Sequence, residues 1–379
     1  MEIYIDNIKE SVIFFPLVAL IISLPFFLWA YRKYGAFTLM RALILYSLSF
    51  YLLTAYFLVI LPLPSFSEVA ALTTPRMDLI PGSFITIYLN NKSLHSITEP
   101  VFNLLMLIPL GIYCRYYFQF SWKKTVLLAF CVSLFFEVTQ LTGLYGIYPR
   151  SYRLFSVDDL LLNTLGGLTG YGIAPLLMKI LPSKEEIDEK SYEKGETVSL
   201  FRRFFALIID LIVLSIILGL ISYFIQQTGI IPSTWDTEMI ALLAYSLIIF
   251  IYFVLLCYIL KGQTIGKMIV KIRVIRLKKP DRRPAFLSLL VRYSILYYII
   301  MPVFYLFLYL LQLTGTVAEN RLDFILGEIV VIFLVCIILI ANFIYAFISK
   351  KHRLIYESMS GTKVVSTIKV DELMLSNDQ

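Results

Sequence analysis

Runs of roughly twenty apolar residues recur nine times along this 379-residue chain, and they limit its fold more than any other feature. A helix needs about 20 apolar residues to cross the hydrocarbon layer. Inside that layer each backbone polar group must be bonded within the structure, which leaves helices as the form for such runs. The runs lie at about 11–31, 40–62, 99–118, 123–142, 157–181, 203–225, 237–260, 290–313 and 326–349. Composition agrees: 59% of residues are hydrophobic and 16% are charged, against roughly 25% charged in a soluble domain. The 29 Phe and 26 Tyr suit a chain that meets lipid interfaces. The sequence therefore predicts an all-α polytopic membrane protein with about nine transmembrane helices.

Charge sets an expected orientation, because loops rich in Lys and Arg stay on the cytoplasmic side. Arg32, Lys33 and Arg41 fall between the first two runs, and Arg115, Lys123 and Lys124 between the third and fourth. Lys179, Lys184, Arg202 and Arg203 follow the fifth run. The densest group runs from Lys261 to Arg283, and Lys350, Lys351 and Arg353 open the tail. Every second connection is thus basic, which predicts the N-terminus outside and the C-terminus in the cytoplasm. The net charge of +7 is then a matter of topology and of attraction to anionic lipid, with no nucleic acid as partner. The first run is too long, and its flank of Glu2, Asp6, Lys9 and Glu10 too acidic, for a removable signal peptide. Cys114, Cys131, Cys257 and Cys336 sit in or beside the runs, with no disulfide or metal spacing.

Residues 182–199, PSKEEIDEKSYEKGETVS, form a hydrophilic stretch that reads as a solvated linker. It divides the chain into a five-helix domain at 1–190 and a four-helix domain at 191–379. No internal repeat relates the two, so an inverted-repeat transporter is not indicated. The long connection 63–98 carries Pro62, Pro64, Pro75, Pro81 and Gly82 at or near its turns, then SFITIYL, a stretch suited to the membrane surface.

Polar residues gather around the fourth and fifth runs: Glu137, Gln140, Arg150, Arg153, Asp158, Asp159 and Asn163. Ionisable groups inside a span are costly and mark functional sites by default. Glu137 and Gln140 share one helix face, as do Asp159 and Asn163. Asp158 opens the fifth run, where a carboxylate caps free N–H groups. Arg150 and Arg153 lie in an expected outer loop, against the charge rule. Pairing with Asp158 and Asp159 explains them; so does an anionic partner, because guanidinium forks bind phosphate and carboxylate. Asn103, in the third run, can add an amide to this interior. Gly166 and Gly170 form a GxxxG pair with Gly167 between, a pattern that lets helices approach closely.

This half resembles the VanZ-like family over about residues 35–181. The resemblance rests on DLIPGSFITI at 78–87, NLLMLIPLG at 103–111, EVTQL at 137–141, Arg150 or Arg153, DDLLLNTLGG at 158–167 and Gly170. It implies a bacterial multi-helix membrane protein linked to resistance to teicoplanin-type glycopeptides or lipoglycopeptides.

In the second half, Arg203 and Asp210 are two turns apart in the sixth run. Asp210 needs a partner inside the bundle, and Arg292 is the expected one, in a site for a proton or ion. GQTIGKMIVKIRVI at 262–275 lacks the spacing of a phosphate-binding loop. Its MIVKIRVI portion alternates like a strand, and the tail segment around Gly361 can pair with it. The half resembles the RDD family over residues 199–368, through Arg203, Ala206, Asp210, Gly262, Thr264, Gly266, Lys267, Val274, Arg292, Gly361, Thr362, Val364 and Val365. Glu357 stands where that family usually carries Asp. The resemblance implies a proposed transport role, including sodium–proton exchange.

No catalytic motif is present: there is no HExxH, no GxSxG, and only His95 and His352 as histidines. The expectation is a non-enzymatic protein of the bacterial plasma membrane, without cofactor or metal. Its ligand would be an anionic membrane lipid, a lipid-linked cell-wall precursor or a lipoglycopeptide antibiotic at the outer leaflet. The alternative is an ion or lipid-linked solute transporter.

Overall fold

The computed structural model describes residues 2–73, 76–91, 95–228, 237–278, 283–300, 302–303, 306, 319–348 and 354–368. Among the described residues, seven helices are long and apolar enough to cross a membrane: Ile5–Lys33, Leu39–Ile60, Ser96–Tyr116, Trp122–Leu141, Val157–Met178, Leu200–Ile225 and Ile329–Ala346. Two shorter apolar helices, Leu243–Ile259 and Phe286–Ile300, fall in the seventh and eighth predicted runs. The chain is an all-α multi-pass membrane protein. It divides into two compact units, 1–25 with 38–190, and 26–37 with 191–379.

In the first unit, helices α1 (Glu2–Lys33) and α2 (Leu39–Ile60) precede a short capped turn, α3 (Phe66–Ala71). Strand β1 (Met77–Asp78) and helix α4 (Ser83–Asn91) follow, so the surface-suited stretch SFITIYL is helical. The third run is two helices, α5 (His95–Met106) and α6 (Ile108–Tyr116), broken at Leu107 just before Pro109. Helix α7 (Trp122–Leu141) leads into the short turn α8 (Gly143–Gly146), strand β2 (Phe155–Ser156) and helix α9 (Val157–Met178). Strands β1 and β2 pair in parallel, Met77 with Phe155 and Asp78 with Ser156. That ribbon ties the long connection to the start of α9.

Helix α9 is the centre of this unit, packed against α5, α6 and α7. Its glycines explain how. A Cβ at Gly166 would strike the Leu104 carbonyl, one at Gly170 the Ile108 carbonyl, and one at Gly111 the Gly167 carbonyl. Backbones approach at these points because no side chain intervenes. The hydrophilic stretch after α9 differs from the expected linker: it is a helix, α10 (Lys184–Glu196). Ile187 joins a buried cluster with Ile44, Tyr116 and Tyr117, and Asp188 pairs with buried Arg41 at 2.5 Å. One packed face and one wet face suffice for order, whatever the mean polarity.

In the second unit, α11 (Leu200–Thr228) is followed by α12 (Thr237–Ile249), which continues as a π-helical segment, Phe250–Leu256, into α13 (Cys257–Ile259). Helix α14 (Ile265–Ile269) and strand β3 (Ile272–Arg276) come next, then α15 (Phe286–Ser294) with its π-helical extension Ile295–Ile300. Helix α16 (Glu319–Ile348), helix α17 (Ile355–Met359) and strand β4 (Thr362–Ser366) complete it. Strands β3 and β4 are antiparallel, Val274 opposite Val364, which is the pairing the alternation predicts. The core is apolar and aromatic, with Phe253, Tyr293 and Tyr297 in contact.

Candidate functional site

The α7–β2–α9 corner of the first unit collects every polar residue singled out there. Glu137, 4% exposed near the end of α7, accepts the Ser156 N–H at 3.0 Å. Ser156 is also the N-cap of α9, accepting from Asp159 N at 3.4 Å. One carboxylate and one hydroxyl thus fix the β2–α9 junction from both sides. Asp159 accepts from Asn103 Nδ2 at 2.6 Å, which ties α5 to α9. Asn163 donates to Ser133 Oγ at 2.9 Å, and Ser133 donates to the Asp159 carbonyl at 3.5 Å. The small hydroxyls Ser133 and Ser156 were missed by sequence reasoning; only their positions opposite larger polar groups give them away.

Asp158 caps a helix, but not its own. Its carboxylate accepts from Gly82 N at 2.6 Å, Ser83 Oγ at 2.9 Å and Phe84 N at 3.1 Å. It therefore holds the start of α4, where free N–H groups attract a carboxylate. This gives the DLIPGS segment a physical reason.

The polar side chains also bond the backbone of the α2 end and the loop after it. Gln140 donates to Val59 O at 2.8 Å. Arg153 donates to Val59 O at 2.7 Å and Leu61 O at 3.2 Å, and Arg150 donates to Leu72 O. Arg153 pairs with neither Asp158 nor Asp159, and it forms no ion pair among the described residues. A carbonyl orients a guanidinium without neutralising it. Arg153 is exposed, and its charge acts on both Glu137 and Asp159. The corner is thus one buried and one part-buried carboxylate, with a positioned cation nearby that forms no direct ion pair among the described residues. Tyr152, next in the chain, keeps a buried hydroxyl without a partner among the described residues, and burial pushes it up to about 12.

The second unit has its own polar centre, and here the expected pairing is corrected. Arg292 does not meet Asp210. It donates to Glu357 at 3.0 Å and to Thr362 at 2.8 Å, while Arg203 reaches the other Glu357 oxygen at 2.8 Å. Glu357 is fully buried and joins two guanidiniums, so the acid is a hub between α11, α15 and α17. Asp210 is satisfied separately: Tyr252 at 2.7 Å, Thr264 at 2.6 Å and Gly266 N at 2.7 Å all donate to it. Lys267 Nζ stands 3.9 Å from it and bonds Thr264 at 3.1 Å. Gly266 is required here, since a Cβ would strike the Ala206 carbonyl and press on the Asp210 carboxylate. With its oxygens engaged by the chain, Asp210 holds the GQTIGK loop in place. Burial pushes the Lys267 ammonium below the usual lysine range.

Arg202 was missed. Fully buried, it donates to Val270 O at 2.8 Å, Gly195 O at 3.0 Å and Lys271 O at 2.8 Å. The adjacent pair Arg202–Arg203 is the only signal, because neighbours on a helix point about 100° apart and need separate partners. His352 lies outside the described residues, and of His95 only the helical backbone is described. Among the described residues no cluster of His, Cys, Asp or Glu could hold a metal ion, and the four cysteines are free thiols.

Two family models match the chain. Residues 48–179 match VanZ/LLP1 and residues 197–361 match the RDD family, in that order. No curated protein and no solved structure matches. Both polar centres lie inside the matched segments.

Proposed function

We propose that this fusion of a VanZ-like domain with an RDD-family domain lowers susceptibility to teicoplanin-type glycopeptides or lipoglycopeptides. The VanZ-like domain does so by recognising an anionic group at the outer leaflet: an anionic lipid, a cell-wall precursor, or the lipid-tailed drug. The observation that carries this reading is Arg153. It is exposed, aimed by two backbone carbonyls and in direct ion pair with no carboxylate among the described residues. Such a guanidinium is set to meet phosphate or carboxylate oxygens. The alternation of the other connections supports the outer placement of this loop, although its own Arg150 and Arg153 run against the charge rule. The carboxylates have structural partners, which favours recognition over acid–base chemistry. Replacing Arg150 and Arg153 together by Ala tests it. Drug susceptibility should rise to that of a strain lacking the chain, with normal membrane levels of the protein. Unchanged susceptibility at normal levels would contradict the reading.

A further inference from the structure

A cavity of about 360 Å³ lies within the second unit, in the size range of small-molecule sites. Its charged lining is Arg203, Asp210, Lys267 and Arg292. Much of the remaining wall is apolar, from α11, α15 and α16: Leu207, Leu296, Leu339 and Phe343 among them. Residues Ile272 and Val364 of the β-ribbon line it too. Strands and loops are not left exposed in hydrocarbon, which favours headgroup depth for the ribbon side of the cavity.

The charges around it do not balance. Three cations, Arg203, Lys267 and Arg292, face two carboxylates, Asp210 and Glu357. With Lys267 charged, one positive charge among the described residues is left over; burial works against that charge, and an anion beside it would hold it. Donors are left over as well. The Nε–H groups of Arg203 and Arg292 are buried with no partner among the described residues. Lys267 carries three N–H donors, and its one hydrogen bond among the described residues is to Thr264. The Phe253 and Tyr293 rings, 5.8 and 5.4 Å from Nζ, favour the charged ammonium without accepting its protons as a carboxylate would.

We propose that this cavity binds an anionic amphiphile, with one acidic group against Lys267 and the two arginines and an apolar chain along Leu207, Leu296, Leu339 and Phe343. The RDD-family domain is then a lipid- or fatty-acid-binding module, separate from the outer-leaflet site of the first domain. One negative charge restores neutrality, and the apolar wall selects a ligand with a tail over a free ion.

Native mass spectrometry and thermal shift of the purified full-length protein in neutral detergent test this. The probes are phosphatidylglycerol, oleate, phosphatidylcholine and inorganic phosphate. Phosphatidylglycerol or oleate should bind and raise the melting temperature, while phosphatidylcholine and inorganic phosphate should not. Which anionic probe binds more tightly identifies the headgroup as phosphate or carboxylate. Lys267→Met should weaken that binding by about tenfold or more, as loss of a charged hydrogen bond does. Leu207→Trp, which fills the tail wall and leaves every charge in place, should weaken it similarly and serves where Lys267→Met misfolds. Equal binding of phosphatidylcholine, an equal shift with inorganic phosphate, or unchanged affinity in either folded variant would overturn the proposal.

Discussion

Single carboxylates organise this protein by reaching across the chain. Asp158 accepts three hydrogen bonds from the start of α4, 74 to 76 residues away. Asp158→Asn keeps the size but turns one acceptor oxygen into a donor facing other donors. It should cost about 1–3 kcal/mol and loosen α4 specifically. Hydrogen exchange would show this as faster exchange over residues 83–91, with α7 and α9 unchanged. Glu357 does the same work in the second unit, where it joins Arg203 and Arg292 in a buried triad. Glu357→Gln leaves two guanidiniums without their counter-charge and should destabilise that unit by about 3 kcal/mol or more. Reversible unfolding in mixed detergent micelles would measure it. At this scale the sequence marked the residues better than their partners. Arg150, Arg153, Gln140 and Arg202 bond backbone carbonyls, which every residue carries and no side-chain pattern announces. Arg292 was expected to meet Asp210, because the better acceptor, Glu357, comes 65 residues later in a short helix of the tail.

Helices and strands were far more legible. A span declares itself by twenty local residues, so each predicted run corresponds to an apolar helix, two of them short within the described residues. The β3–β4 ribbon was visible because alternation is also local. Helix α10 was not, since a polar helix buries only scattered residues such as Ile187 and Tyr192. Packing of α9 rests on glycine at chosen positions. Gly170→Val would push side-chain atoms into the Ile108 carbonyl and separate α9 from α6, costing about 1–3 kcal/mol or preventing folding. Gly172→Ala is the control: no atom outside the local helix lies near a Cβ there, so it should be neutral or slightly stabilising. Thermal melts of the two purified variants would separate a packing role from general helix propensity.

For the whole molecule, two segments of one chain match models of different families, and each segment holds a buried polar centre. Among the described residues, the first centre holds an exposed Arg153 with no direct ion pair; the second sets Arg203, Lys267 and Arg292 around a cavity. In the account proposed above, each feature meets an anion of its own. The most direct measurement is drug susceptibility of a strain lacking the chain, restored with wild type or with Arg150→Ala/Arg153→Ala, against teicoplanin-like, lipid-tailed and untailed glycopeptides. The account predicts lowered susceptibility to the first two drugs with wild type, and loss of that protection with the double variant at equal membrane levels. Equal susceptibility with and without the chain across all three drugs would contradict it.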